Sequence, residues 1–220
     1  MAIHDLDQRR DDGRSARERI LDAAIALFAE RGVAGTSLKV IAEHADVSQA
    51  LIVHHFASKQ GLRDACDAHI IGVIRDQMRQ ARDEGADLDV LAAFRRRQQA
   101  QAHALPYLAR ALSEGGPQVD ALVDELADET LRSMEQGAAD GTYVDTAHPR
   151  ERALVLLIWS LGAVTLHEHV QRLLGADLTG EPVALLPYLR GATELLTDGL
   201  FSDDLRDSLR DVVTRLEQER

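Results

Sequence analysis

The stretch from Thr36 to Lys59, TSLKVIAEHADVSQALIVHHFASK, constrains the chain more than any other. Leu38, Ile41, Ala42 and Ala45 fall at i, i+3, i+4 and i+7, which predicts a short helix with one apolar stripe, capped by Thr36 or Ser37. Asp46 and Val47 end it, and Ser48 offers a hydroxyl cap to a second short helix from Gln49 to about Phe56, with Ile52 and Phe56 inward. Helices this short do not persist alone, so the two must pack across the turn between them. That arrangement is a helix-turn-helix. The outer face of its second helix presents Gln49, Ala50, Val53 and His54, with Leu51 at the border.

The segment ADVSQALIVHHFASKQGL, with its VS cap, HHF ending and Ser-Lys start of the next helix, resembles the DNA-binding signature of the tetracycline-repressor (TetR) family. The detailed resemblance runs from about Arg17 to Leu62 and is architectural beyond it. Asp46 stands where the family often has Gly, Val53 where Tyr is usual and Leu51 where Thr is common. The resemblance implies an all-α transcriptional regulator, with an N-terminal three-helix reading head and a C-terminal helical body that binds a small effector and dimerises. On the matching positions, Thr36, Ser37, Lys39, Ser48, Gln49, Ala50, Leu51, Val53, His54 and Lys59 are expected at DNA. Gln49 is the side chain able to grip adenine, and Lys39, Lys59, Thr36, Ser37 and His54 are expected at phosphates.

A net charge of −12 opposes the basic balance usual for a nucleic-acid binder. The acidity is uneven: residues 1–60 carry eight Arg or Lys against nine Asp or Glu, whereas residues 61–220 carry 17 against 28. The two lysines of the chain, Lys39 and Lys59, both fall in the helix-turn-helix stretch. An acidic body beyond about 8 Å is screened in physiological salt, so it weakens nonspecific binding without abolishing a specific site. Cys66, a single cysteine, cannot form an internal disulfide, and the longest nearly apolar run, Ala153 to Leu166, is short of the about 20 residues a membrane span needs. A cytoplasmic protein without membrane partners is the expectation.

Along the chain, residues 1–14 form a charged arm in which Arg9, Arg10 and Arg14 either follow a minor groove or stay solvated. Ser15 to Glu18 is a capping box opening the first helix, which Gly32 ends. Ser58 caps a connector from Lys59 to about Glu84. The reading head is thus placed at 15–62 and the ligand-binding and dimerisation domain at 63–220, with helices at about 88–104, 106–114, 118–136, 149–174 and 184–200. A last helix follows Ser202, bearing Leu205, Leu209, Val212, Val213 and Leu216 on one side. The 149–174 helix is apolar nearly all round in its middle and must be covered on more than one side. With the family's paired last helices in mind, Gly162, Leu166, Gly191 and Leu195 are expected at a homodimer interface, an intramolecular core being the alternative.

His167 and His169, two apart on one helix, point to different faces and so do not make a metal site from that element, and no cofactor is expected. The Arg95–Arg97 triplet and the carboxylates Asp120, Asp124, Glu125, Asp128 and Glu129 read as solvated faces. Phe94, His103, Tyr107, Leu131, Met134, Val155 and Trp159 are the candidates for an apolar effector pocket, or else core. The chain is not expected to be an enzyme, since no nucleophile, phosphate loop or paired acid and base occurs at credible spacing. The alternatives to a regulator binding an inverted-repeat operator are a small-molecule-binding enzyme and an interaction protein whose helix-turn-helix only packs.

Overall fold

The computed structural model describes residues 15–83, 103–180 and 182–218, and among them every regular element is helical. Helix α1 (Ala16–Gly35) starts on the capping box: Glu18 N–H donates to Ser15 Oγ at 3.2 Å and Ser15 N–H to Glu18 Oε2 at 2.7 Å. At Gly32 the backbone turns to φ 71°, breaking the helix where the sequence places its end, and a further helical turn runs to Gly35. Helices α2 (Leu38–His44) and α3 (Gln49–Phe56) follow, then α4 (Lys59–Asp83). Ile20, Ala24, Ile25 and Phe28 of α1, Ile41 of α2, Ile52 and Phe56 of α3, and Leu62, Cys66 and Ile70 of α4 close one buried core.

That core does not stop at residue 62. Helix α5 (Ala104–Glu114) lays Tyr107 and Ala111 into it, and Val119 of α6 (Pro117–Ala139) joins them. Helix α7 (Pro149–Thr165) turns Ala153, Leu157 and Val164 inward and packs against α5 and α6. The four-residue spacing that puts these groups on one face leaves Val155 and Ile158 of the same helix more than 60% exposed. The expected single helix over 149–174 is instead two. Leu166 leaves helical geometry at φ −98°, ψ 22°, and α8 (His167–Leu174) starts anew. The expected 88–104 helix as far as residue 102, the arm residues Arg9, Arg10 and Arg14, the Arg95–Arg97 triplet and Phe94 lie outside the described residues.

The chain divides into two compact units, one ending at His169 and one starting at Val170. Within the second, Asp177 N–H donates to Ala184 O at 3.1 Å, closing a loop that leads into a 3-10 turn, Pro182–Leu185. Helix α9 (Leu186–Thr197) and helix α10 (Asp203–Gln218) complete it. The sequence pattern places α9 at about 184–200. Pro187 at its first turn sets the later start, and Gly199 at φ 77° follows its end. Among the described residues no single helix is long and apolar enough to cross a membrane.

Candidate nucleic-acid interface

The geometry of α3 is set by its two ends. Upstream, α2 is capped by Ser37, whose Oγ accepts from Val40 N–H at 3.3 Å, and it closes with Val47 N–H donating to Ala42 O at 3.0 Å. This six-to-one bond needs a left-handed residue just before it, and Asp46 supplies it at φ 52°. Asp tolerates that region better than most residues, which accounts for its standing where the family often has Gly. Ser48 then caps α3, its Oγ accepting from Leu51 N–H at 3.1 Å.

Downstream, Ser58 N–H reaches back to Phe56 O at 2.7 Å across Ala57, which is held at φ 64°, ψ −42°. This is a γ-turn with its central residue in a strained conformation. Ser58 Oγ accepts from Gly61 N–H at 3.0 Å to cap α4, and the turn brings the Phe56 carbonyl against Gly61. A Cβ on Gly61 would lie 2.2 Å from Phe56 O. Arg17 of α1 covers the Phe56 ring, its guanidinium carbon 5.3 Å from the ring centroid.

With Ile52 and Phe56 buried, the opposite face of α3 is fixed outward: Gln49, Ala50, Val53 and His54 are exposed and Leu51 is half-buried at the border, as its position on the helix requires. Ser37, Lys39 and Ser48 are exposed, and Lys59 is partly so. Lys39 makes a loose exposed ion pair with Glu43 at 3.9 Å, which holds it weakly. Thr36 is corrected. It is 2% exposed, and its hydroxyl donates to Gly32 O at 2.9 Å and lies 3.3 Å from Leu27 O, satisfying carbonyls freed by the break at Gly32. Its side chain is therefore committed inward, and Ser37 alone caps α2.

Two family models match the chain: "Bacterial regulatory proteins, tetR family" over residues 20–66 and "Tetracyclin repressor-like, C-terminal domain" over residues 99–202. The HTH-type transcriptional regulatory protein RaaS of Mycobacterium tuberculosis is 34% identical over 193 residues, covering 86% of this chain and 88% of that protein. The chain belongs to the TetR family. This TetR-family chain is a DNA-binding transcriptional regulator, as its family is. The uncharacterized regulator YvkB of Bacillus subtilis is 48% identical over 52 residues, 24% of this chain and 28% of its own. Among solved structures, a gamma-butyrolactone receptor (ArpA like protein) shares the fold at TM-score 0.59, with 23% identity, 93% of this chain and 98% of that one covered. FadR from Bacillus subtilis in complex with stearoyl-CoA shares it at TM-score 0.58 and 16% identity, with 84% and 99% covered.

Three of the residues expected at a pocket stand elsewhere in the structure. Val155 is 64% exposed on the outer side of α7, and His103 stands exposed ahead of α5. Tyr107 is buried in the core shared with the reading head, its hydroxyl donating to Asp67 Oδ1 at 2.6 Å. These three are corrected, for exposure in two cases and prior commitment in the third. Met134 is buried and Leu131 and Trp159 are half-buried. At the residues expected to meet a second copy, a Cβ on Gly162 or Gly191 would find nothing within 4 Å, and Leu166 and Leu195 are 53% and 44% exposed. His167 turns its Nδ1 to Val164 O at 3.1 Å.

Sequence reasoning missed the polar cluster beside Tyr107. Arg63 of α4 lies 3.6 Å from Asp67 Oδ2 and 3.6 Å from Glu114 Oε2, and its Nη2 donates to Gly115 O at 3.0 Å. Burial raises the Asp67 carboxyl above its ordinary value despite the Tyr107 hydrogen bond and the Arg63 charge, both of which lower it. Burial likewise pushes the Cys66 thiol up, so it is not a nucleophile in this state. Further along α4, Arg75 forks onto Glu125 of α6, with Nε 2.7 Å from Oε2, and this hydrogen bond holds the exposed Glu125 carboxyl below its ordinary value. The i, i+4 spacing of Arg63 and Asp67 on a helix was the readable signal. Glu114 and Tyr107, 40 and more residues away, left none.

Proposed function

We propose that the chain is a homodimeric repressor of the cytoplasm that reads an inverted-repeat operator and is released from it by a small, largely apolar effector. Residues 15–62 form the DNA-binding part and 63–220 the ligand-binding and dimerisation part. The observation that carries the reading is the outward face of α3, held by a core on its other side and by caps at both ends, with Gln49 as its amide-bearing side chain. Ala50, Leu51 and Val53 meet thymine methyls or sugar, and Ser37, Lys39, Ser48, His54 and Lys59 meet phosphates. Gly162, Leu166, Gly191 and Leu195 are proposed to be covered by the second copy, since they offer open space or exposed apolar surface in this chain.

Two substitutions separate reading from holding. Gln49→Ala is expected to cost about 1 to 3 kcal/mol and to relax preference at one A·T pair in each half-site. Lys59→Ala is expected to weaken all sequences alike and to make the salt dependence shallower by roughly 1 per half-site. Binding profiles over an operator library measure both. A Gln49→Ala profile identical to wild type would remove Gln49 as a reader.

The effector is proposed to bind in the body beside Leu131, Met134 and Trp159, which are buried or half-buried. That related folds include a stearoyl-CoA complex and a gamma-butyrolactone receptor supports a ligand-holding body. Release requires the effector and DNA to prefer different conformations, and they then oppose each other by the same factor, typically about 1 to 3 kcal/mol. An apolar compound that changes Trp159 emission is expected to bind more weakly when operator is present. A compound bound equally well with and without operator is not the effector.

A further inference from the structure

Helix α10 begins at Asp203, one residue past the end of the C-terminal family match at 202. Every side chain described on it is exposed. Leu205, Leu209, Val212 and Leu216 are 43–61% exposed and follow one another at steps of four, three and four. These steps are the d, a, d, a positions of a heptad seam, the pattern with which one helix packs along another. Their charges are not random about that seam. Arg206 and Arg210 pair along the helix with Asp203 and Asp207, whereas no ion pair among the described residues engages Arg215, Asp204 or Asp211.

Arg215 stands in the g position of this register, and Asp204 and Asp211 in c positions flanking Ser208, the other g. When two copies of such a helix run antiparallel, a meets d and g faces g. Leu205 then meets Leu216, Leu209 meets Val212, and Arg215 of each copy comes opposite Ser208 of the other, between its Asp204 and Asp211. Each copy thus supplies the charges the other lacks. A parallel pair sets each g against the e position five residues on, so Ser208 would meet Val213 and Arg215 would find no partner within α10, which runs to Gln218. We propose that α10 is a dimerisation arm that pairs antiparallel with α10 of a second copy of this chain.

The proposal rests on the homodimer reading above and is tested so that the two can fail separately. Leu205→Cys and Leu216→Cys chains carrying different affinity tags are co-expressed, sedimented, and oxidised as full-length protein. Antiparallel pairing is expected to give a disulfide between the two kinds of chain. It should give little within either kind, because positions 205 and 216 lie about 16 Å apart along the helix. Disulfides within the Leu205→Cys chains would show a parallel pair, and a sedimenting dimer without disulfides would show that α10 is covered by something else. Either overturns the proposal while leaving the dimer, whereas a monomer in sedimentation overturns the dimer reading itself. As a second arm, Arg215→Asp alone and Asp204→Arg with Asp211→Arg alone should each weaken self-association about tenfold at low salt, and mixing the two variants should restore it. Equal association of all four samples would also overturn the proposal.

Discussion

Gly61→Ala is expected to destabilise the protein by about 3 kcal/mol or more and to abolish operator binding with it. The added Cβ would sit 2.2 Å from the Phe56 carbonyl oxygen, a backbone atom that no rotamer change can move aside. That carbonyl cannot retreat freely, since it accepts the hydrogen bond of the γ-turn across Ala57. The clash must therefore open the junction between α3 and α4, which sets the tilt of the outward face of α3 and the place of Lys59 at the start of α4. Ala57→Gly provides the opposite sign. At φ 64° a glycine relieves strain, and a gain of about 1 kcal/mol is expected. Denaturant unfolding of both variants measures the pair. A Gly61→Ala protein within about 1 kcal/mol of wild type would show that the junction is not the rigid element described.

Arg63→Met is expected to cost about 3 kcal/mol at neutral pH, because it leaves Asp67 ionised and buried with only the Tyr107 hydroxyl. The penalty should depend on pH in a defined direction. Burial already raises the folded-state pKa of Asp67 above its unfolded value of about 3.9. A carboxyl shifted this way adds stability that is fully present below the unfolded value and is lost as pH rises through the folded one. Removing Arg63 raises the folded value further, so the cost of the substitution is largest near neutrality and shrinks as Asp67 takes up its proton in acid. Asp67→Asn should flatten this part of the pH dependence and recover part of the stability lost with Arg63. Unfolding from pH 4 to 8 in the two single variants and the double one checks it. A penalty that is constant over that range would assign Arg63 a packing role instead.

The reading head was legible in the sequence because each of its turns carries its own chemistry. The capping box at Ser15, Ser48 ahead of α3 and Ser58 ahead of α4 act within three residues, and Ile52 and Phe56 declare their side by spacing alone. Thr36 was not legible as a buried group. As a cap it differs from Ser37 only through the break at Gly32, whose freed carbonyl draws the hydroxyl inward. The end of α7 was equally hidden. Leu166 interrupts a run with no Gly or Pro beside it, so apolar periodicity continued across a helix that stops. Tyr107 looked like a pocket aromatic because its partner, Asp67, is 40 residues away, and pairing at that range leaves no periodic trace. In the second unit, Leu205, Leu209, Val212 and Leu216 were visible as a stripe, but a stripe states only that something covers it.

The central claim, a twofold reader of DNA that recognises sequence through α3, is tested most directly by selecting bound sequences from random duplex DNA with the full-length protein, at two salt concentrations. The account predicts enrichment of one inverted repeat whose half-site centres lie about one helical turn apart, with affinity falling as salt rises. The Gln49→Ala protein should return the same repeat degenerate at one A·T pair in each half. Recovery of no motif, or of a single half-site without symmetry, would contradict it.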